Sequence, residues 1–160
     1  MIIYTDGSAR PNPGKGGYGV IVLDNNEKIV YNYYRKYEKT TNNEMELKAI
    51  LYSFINFGVN IYDNEFADIP IVYTDSNYCL NTLTNWMFNW ANNNWIKSDK
   101  KIPENLELIQ AYYDRYQKGY RIDLRKVKGH DKNKWNNIVD ELATGKITSK
   151  ELYLKYGKSV

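Results

Sequence analysis

Three strand-like segments stand at the start of this chain, before any helical pattern appears. Residues 1–5, 18–23 and 28–37 are rich in Ile, Val and Tyr, and turn residues separate them. The turn sequence "DNNE" at residues 24–27 is typical of a hairpin connection between the second and third segments. The order predicts an antiparallel meander of three strands, to which later segments must be added.

The later segments alternate between helical and strand-like patterns. Apolar residues spaced three and four positions apart predict a helix from Asn43 to near Gly58. A short apolar run at residues 69–74 is typical of a strand covered on both faces. Further patterns predict helical or turn-rich segments at residues 77–95, a helix opened by Pro103 and running to about Gln117, a strand at residues 121–127, and a helix with the apolar stripe Trp135, Ile138, Val139, Leu142 and Ala143.

These elements predict an α/β fold with a five-stranded mixed sheet flanked by helices. The sheet would combine the three-strand antiparallel meander with two parallel strands, whose crossover connections should be right-handed. A chain of 160 residues fits one domain, which we expect to span residues 1–145. Residues 146–160 have a weak helical pattern and are expected to form a loosely attached C-terminal tail.

Composition excludes several classes of protein. With Cys79 and His130 as its single cysteine and single histidine, the chain can form neither an internal disulfide nor a structural zinc site. The apolar run at its start is too short for a secretory signal, and no stretch reaches the roughly 20 apolar residues of a membrane span. We therefore expect a cytoplasmic protein without membrane contact, and the net charge of +3 favours an anionic partner only weakly.

Two aspartates follow apolar strand runs. Asp6 and Asp75 are each expected at the end of a strand, where ligands of such sheets bind. Adjacent carboxylates repel each other and need a proton or a cation between them, and clusters of oxygen ligands suit Mg²⁺ or Mn²⁺. Local chemistry offers alternatives, because Asp6 fits an ordinary turn and Asp75 fits the N-cap of the next helix.

Other polar residues also have two interpretations. Glu46 fits a capping box with Asn43, as Glu44 does with Thr41, yet Glu46 borders the apolar stripe of its helix. An inward-leaning carboxylate of this kind needs a partner, which metal ions would supply. Asp140 and His130 are further candidate site residues with ordinary explanations. Asp140 fits the solvated flank of its helix, and His130 fits an exposed position in a polar loop.

Five segments in order resemble the signature segments of the ribonuclease H type 1 (RNase HI) family. They are "YTDGSARPNPGKGGYG", "TTNNEMEL", "YTDSNY", "KVKGH" and "VDELA", and together they span residues 1 to about 143. The resemblance implies an RNase H-like fold and an endoribonuclease that cleaves the RNA strand of RNA/DNA hybrids. It also implies two Mg²⁺ ions, with Mn²⁺ possible in their place, and products with 5′-phosphate and 3′-hydroxyl ends.

The same resemblance assigns roles to individual residues. It implies that Asp6, Glu46, Asp75 and Asp140 are the catalytic metal ligands, and that His130 assists by moving protons or releasing product. The implied substrate-binding residues are Asn12, Thr41, Asn42, Asn43, Asn77 and Trp86. Asn12, Asn42 and Asn43 would contact the minor groove, and Asn77 would lie beside the carboxylates. Thr41 would contact a phosphate of the DNA strand, and Trp86 would pack against a deoxyribose. Turn preference for the asparagines and a core position for Trp86 are the alternatives.

One segment departs from the family pattern. Many bacterial members have a Lys/Arg cluster on a protruding segment, where this chain has Asn92, Asn93 and Asn94, so we expect weaker electrostatic contact with a duplex. The resemblance starts at the first strand, so no separate N-terminal hybrid-binding module is expected. We expect the protein to be a monomer and its partner to be an RNA/DNA hybrid. A non-catalytic duplex-binding module and a DNA-acting nuclease of the wider superfamily are the competing hypotheses.

Overall fold

The computed structural model of the chain describes residues 1–127 and 133–157. Within these ranges, five strands form one mixed sheet in the order β3-β2-β1-β5-β7, in which β1, β2 and β3 are antiparallel and β5 and β7 run parallel to β1. The strands are β1 Ile2–Ala9, β2 Gly14–Leu23, β3 Ile29–Thr40, β5 Ile71–Thr74 and β7 Asp123–Lys126. The predicted five-stranded mixed sheet is confirmed.

Helices cover both faces of this sheet. They are α1 Asn42–Phe57, α2 Asn77–Asn81, α3 Met87–Asn92, α4 Leu106–Gln117, α5 Lys134–Ala143 and α6 Ser149–Tyr156, with one π-helical turn at Thr82–Trp86 between α2 and α3. None of the helices described is both long enough and apolar enough to cross a membrane.

The alternation of side chains along β1 divides the core between two helices. Ile3 packs with Met45 and Ala49 of α1, because odd-numbered residues of β1 point to that face. Tyr4 lies on the opposite face, where it packs against a cluster that includes Leu142 of α5. The strand is thus covered by α1 on one side and α5 on the other.

The C-terminal segment, expected as a loosely attached tail, forms a helix. Thr148 caps α6 by accepting a hydrogen bond from the Glu151 backbone nitrogen at 3.1 Å. Leu152 is fully buried in the core cluster on the α5 face, and the Tyr156 ring lies 5.4 Å from that of Trp135. After the helix, Gly157 forms an isolated parallel bridge with Ile29 at the start of β3. The buried leucine, the ring contact and the bridge to β3 together attach a segment whose sequence pattern is weak.

Several boundaries differ from the sequence-based expectation, and one small sheet was not predicted. β1 extends to Ala9 rather than residue 5, and β3 extends to Thr40 rather than residue 37. β2 begins at Gly14 rather than residue 18, because the glycine-rich stretch pairs with β1 instead of forming a loop. α4 begins at Leu106, three residues after Pro103, and its N-cap Asn105 has a φ of 58°. Strands β4 Val59–Asn60 and β6 Tyr120–Arg121 form the small antiparallel sheet.

Candidate active site

The site lies where β1 extends beyond its parallel neighbour. Pairing between β1 and β5 ends at Tyr4 and Tyr73, whereas β1 continues with β2 as its only partner to Ala9. Asp6 therefore lies inside a strand, and the expectation that it ends one is wrong. Asp75 directly follows β5, as predicted. Because β5 stops short, the Asp6 side chain faces an open groove at the point where β5 ends.

Glu46 reaches this groove because α1 packs closely against β1 at Gly7. A Cβ atom on Gly7 would lie 2.5 Å from the Glu46 backbone nitrogen, so only glycine allows this approach. The Gly7 backbone N–H donates to Glu46 Oε1 at 3.2 Å, and Thr74 Oγ1 donates to Glu46 Oε2 at 3.5 Å. Thr41 caps α1, so the capping alternative for Glu46 does not hold.

Carboxylate oxygens of Asp6, Glu46 and Asp75 lie within 4.8 Å of one another. Asp6 and Glu46 are only 5% and 7% exposed, whereas Asp75 is exposed. Asp140 approaches from α5 on the other face of the sheet and lines the same cavity of about 420 Å³. We call this cavity, with its four acidic side chains, the carboxylate groove.

Glycines of β2 allow α5 to approach the sheet beneath Asp140. Gly19 is paired with Asp6, and a Cβ atom there would lie 3.1 Å from the Leu142 side chain. At Gly17, a Cβ atom would lie 2.9 Å from the carbonyl oxygen of Ala143. The glycine-rich stretch thus serves the packing of α5, which carries the fourth carboxylate.

The groove strongly disfavours negative charge. Burial, followed by the negative charge of Glu46 and Asp75 and a hydrogen bond with Asp140, raises the pKa of Asp6 far above its usual range. Burial also raises the pKa of Glu46, although its hydrogen bonds with Asp6 and Gly7 oppose this effect. Close acidic groups that are costly to ionise fit a cation site, and an all-oxygen donor set suits Mg²⁺ or Mn²⁺.

Asp75 is free to act in the groove because a neighbour performs the cap. Ser76 Oγ accepts a hydrogen bond from the Cys79 backbone nitrogen at 3.1 Å, so Ser76 and not Asp75 caps α2. Lys126 Nζ donates to the Asp75 carbonyl oxygen at 2.7 Å and to Asn77 Oδ1 at 2.8 Å. The sequence interpretation missed Lys126, whose position at the end of a strand next to β5 was the available signal.

Apart from Asn77 in α2, the polar residues predicted to bind substrate cluster at the start of α1. Asn42 Oδ1 accepts a hydrogen bond from the Ala9 backbone nitrogen at 2.6 Å, and Asn12 Oδ1 accepts one from the Asn42 backbone nitrogen at 3.1 Å. Asn43 lines the carboxylate groove beside them. Thr41 Oγ1 accepts from the Glu44 backbone nitrogen, so this hydroxyl has a structural role as well.

Trp86 lies away from these residues and is not a core aromatic. It is 39% exposed, and its ring lies 6.1 Å from that of Trp90 in the wall of a separate surface cavity of about 610 Å³. Asn93 of the protruding segment lines the same cavity. His130, the remaining predicted site residue, lies outside the described residues.

Comparisons with known proteins agree with this geometry. The sequence model of the RNase H family matches residues 1–148. A ribonuclease H of Acetivibrio thermocellus is 40% identical over 147 residues, which cover 91% of this chain and 92% of the relative. A ribonuclease H of Thermoanaerobacter sp. (strain X514) is 37% identical over 146 residues, covering 91% of this chain and 88% of the relative.

A solved structure shows the same fold. LC11-RNase H1 in complex with an RNA/DNA hybrid superposes with a TM-score of 0.61 at 21% identity, covering 94% of this chain and 98% of the other. The family match covers both faces of the sheet and all four carboxylates of the groove. The chain therefore belongs to the RNase H family of nucleases.

Proposed function

We propose that this nuclease cleaves the RNA strand of RNA/DNA hybrids by hydrolysis that depends on two divalent metal ions. The observation that carries the proposal is the set of Asp6, Glu46 and Asp75 oxygens within 4.8 Å of one another in an open groove. The LC11-RNase H1 relative binds an RNA/DNA hybrid, which supports the same substrate class here. Mg²⁺ is the expected metal, and Mn²⁺ would fit the same donors.

The four carboxylates would coordinate the two metal ions. Asp6 would contact both ions, Glu46 and Asp75 would hold one, and Asp140 would hold the other. Such a pair of ions activates a water for in-line attack and stabilises the leaving 3′ oxygen, which gives 5′-phosphate and 3′-hydroxyl ends. Gly7 and Thr74 fix the carboxylate of Glu46, so it needs little rearrangement to bind a cation.

Recognition of a hybrid requires contacts to sugars and groove shape rather than to base sequence. The 2′-hydroxyl distinguishes RNA from DNA, and amide side chains can both donate to it and accept from it. Asn12, Asn42 and Asn43 stand next to the groove and would read the minor groove, with Asn77 beside the carboxylates. Thr41 would contact a DNA-strand phosphate, and the exposed Trp86 would pack on a deoxyribose.

The test uses a hybrid with a different label on each strand, incubated with the protein and Mg²⁺. We expect cuts in the RNA strand alone, with no cleavage of duplex DNA, duplex RNA or single strands. Asp75→Asn should abolish cleavage, whereas Asp68→Asn, an exposed loop position outside the groove, should leave the rate unchanged. Products with 2′,3′-cyclic phosphate ends would overturn the mechanism.

The competing hypotheses predict other outcomes of the same assay. A DNA-acting nuclease would cut the duplex DNA control, and a duplex-binding module would bind the hybrid without cutting it. The assisting role of His130, the monomeric state and the cytoplasmic location stay predictions.

A further inference from the structure

A second cavity opens beside the carboxylate groove and has the opposite charge. It has a volume of about 220 Å³, and its wall includes Arg10, Lys15 and Lys36. Of the residues that the structure describes, none with a carboxylate side chain lines it. We call it the cation pocket.

The cation pocket adjoins the carboxylate groove. Ser8 and Arg10 line both cavities, so a strand that lies on the carboxylates passes next to the pocket. Asp6 and Ser8 alternate along β1 and therefore point to the same face, and Arg10 directly follows the end of the strand at Ala9. At about 3.3 Å per residue of extended chain, the Asp6 and Arg10 backbones are at most about 13 Å apart.

Strand register places the third cation in the same row. Ser8 pairs with Gly17 and Gly17 pairs with Lys36, so these three residues lie side by side across β1, β2 and β3. Directly paired residues share a face of the sheet. Gly17 lines the cation pocket between Ser8 and Lys36, with Ala143 of α5 packed close to it.

The cations of the pocket have little competition for their charge. Lys15 forms only a long, solvent-exposed ion pair with Glu38 at 3.9 Å, which contributes little. Within residues 1–127 and 133–157, Arg10 and Lys36 have no ion-pair partner. The Arg10 backbone nitrogen donates to the Lys15 carbonyl oxygen at 2.8 Å, so the turn that joins β1 to β2 holds these two residues together.

We propose that Arg10, Lys15 and Lys36 bind backbone phosphate of the nucleic acid strand that lies in the carboxylate groove. Clustered cations next to a nuclease groove fit a polyanion, and phosphate is the part of a nucleic acid that such cations bind. The inference rests on the proposed function for the identity of the strand. It gives the chain a source of electrostatic affinity that the asparagine-rich segment Asn92–Asn94 does not supply.

The distance between Asp6 and Arg10 limits which phosphate is bound. With a rise of about 3.4 Å per nucleotide along the axis of a strand, 13 Å corresponds to at most about four nucleotides from the metal site. The contact should therefore depend on a duplex that extends about four base pairs beyond the cleavage site on one side.

The experiment measures binding of a labelled RNA/DNA hybrid by fluorescence anisotropy, in Mg²⁺ and at several salt concentrations. The parent is Asp75→Asn, which is expected not to cleave, and Arg10→Gln and Lys36→Gln are added to it together. We expect weaker binding and a salt slope of log K smaller by up to about one unit per lost contact. Lys150→Gln, an exposed charge on α6 that lines neither cavity, should change neither quantity.

Hybrids shortened stepwise from each end locate the contact. The parent should lose affinity when one end comes within about four base pairs of the cleavage site, and the double variant should not show that loss. Equal affinities and salt slopes for parent and double variant, or the same truncation loss in both, would overturn the inference. If Asp75→Asn still cut the hybrid, or the parent failed to bind it, the proposed function would fail instead.

Discussion

The backbone N–H of Gly7 donates a hydrogen bond to Glu46 Oε1 at 3.2 Å, which joins the middle of β1 to the first turns of α1. This bond fixes a carboxylate that is almost fully buried, at a point where the two backbones are in close contact. One backbone contact therefore sets both the helix packing and the position of a proposed metal ligand.

Replacing Gly7 by alanine should damage packing and activity together. The added Cβ atom would lie 2.5 Å from the Glu46 backbone nitrogen, so α1 would have to move. We expect the free energy of unfolding to fall by about 1–3 kcal/mol or more, as for other overpacked positions. Urea denaturation would measure the loss, and kcat on a hybrid substrate should fall in the fraction that stays folded. An unchanged midpoint would show that α1 does not pack on β1 in this way.

Replacing Asp6 by asparagine should stabilise the metal-free protein. Asp6 is buried beside Glu46, so the folded state must either keep a proton on it or hold uncompensated negative charge. Asparagine has no charge and removes this cost. The carboxylate that the proposed activity needs therefore lowers the stability of the metal-free protein. A thermal melt in EDTA should show a higher midpoint for Asp6→Asn, with Asp68→Asn as the unchanged control. A clearly lower midpoint would contradict a shared acidic cluster.

Mg²⁺ should raise the melting midpoint of the parent more than that of Asp6→Asn. A ligand that binds only the folded state raises the midpoint by mass action, and the parent keeps all its acidic ligands. The same melts in millimolar Mg²⁺ should therefore raise the parent more than Asp6→Asn.

The stability of the metal-free protein should fall as pH rises. The pKa values of Asp6 and Glu46 are raised on folding, so above the unfolded-state values, near pH 4, the native state binds more protons than the unfolded state. The free energy of unfolding should then fall by up to about 1.4 kcal/mol per pH unit for each proton concerned. Urea titrations in EDTA between pH 5 and 8 measure the slope, which Asp6→Asn should reduce. A free energy of unfolding that rose between pH 5 and 8 would contradict the predicted direction of this pH dependence.

Adding positive charge to the asparagine-rich segment should strengthen substrate binding. Asn92 and Asn94 are both exposed, but Asn94 has a φ of 54°, which a lysine adopts less readily than an asparagine. Asn92→Lys is therefore the cleaner change. It should lower KM and steepen the salt dependence by about one unit or less, with kcat nearly unchanged.

Asn25→Lys, in the turn between β2 and β3, is the matched control for charge alone and should leave KM unchanged. If Asn92→Lys altered neither KM nor the salt slope, the segment would point away from the duplex, and that part of the family pattern would not apply to this chain.

Strand patterns predicted that Asp6 and Asp75 meet, and the family resemblance added Glu46 and Asp140, but neither predicted how the four carboxylates meet. The position of Asp75 is predictable because the apolar run before it is short and ends at Thr74, where β5 ends. Asp6 was misplaced at a strand end, because the glycine-rich stretch after it resembles a loop. Its glycines in fact serve close packing against α1 and α5, which only the assembled fold reveals. Likewise, local propensity could not decide between Asp75 and Ser76 as the cap of α2.

The bridge between Ile29 and Gly157 has a consequence for association between molecules. β3 is a twelve-residue strand at one border of the sheet, and an open border offers unpaired backbone groups to another chain. The segment after α6 pairs with the start of β3 and α6 packs beside it, so the C-terminal residues shield part of that border. Removing residues 146–160 should uncover it and promote strand-to-strand aggregation, even where the carboxylate groove is intact.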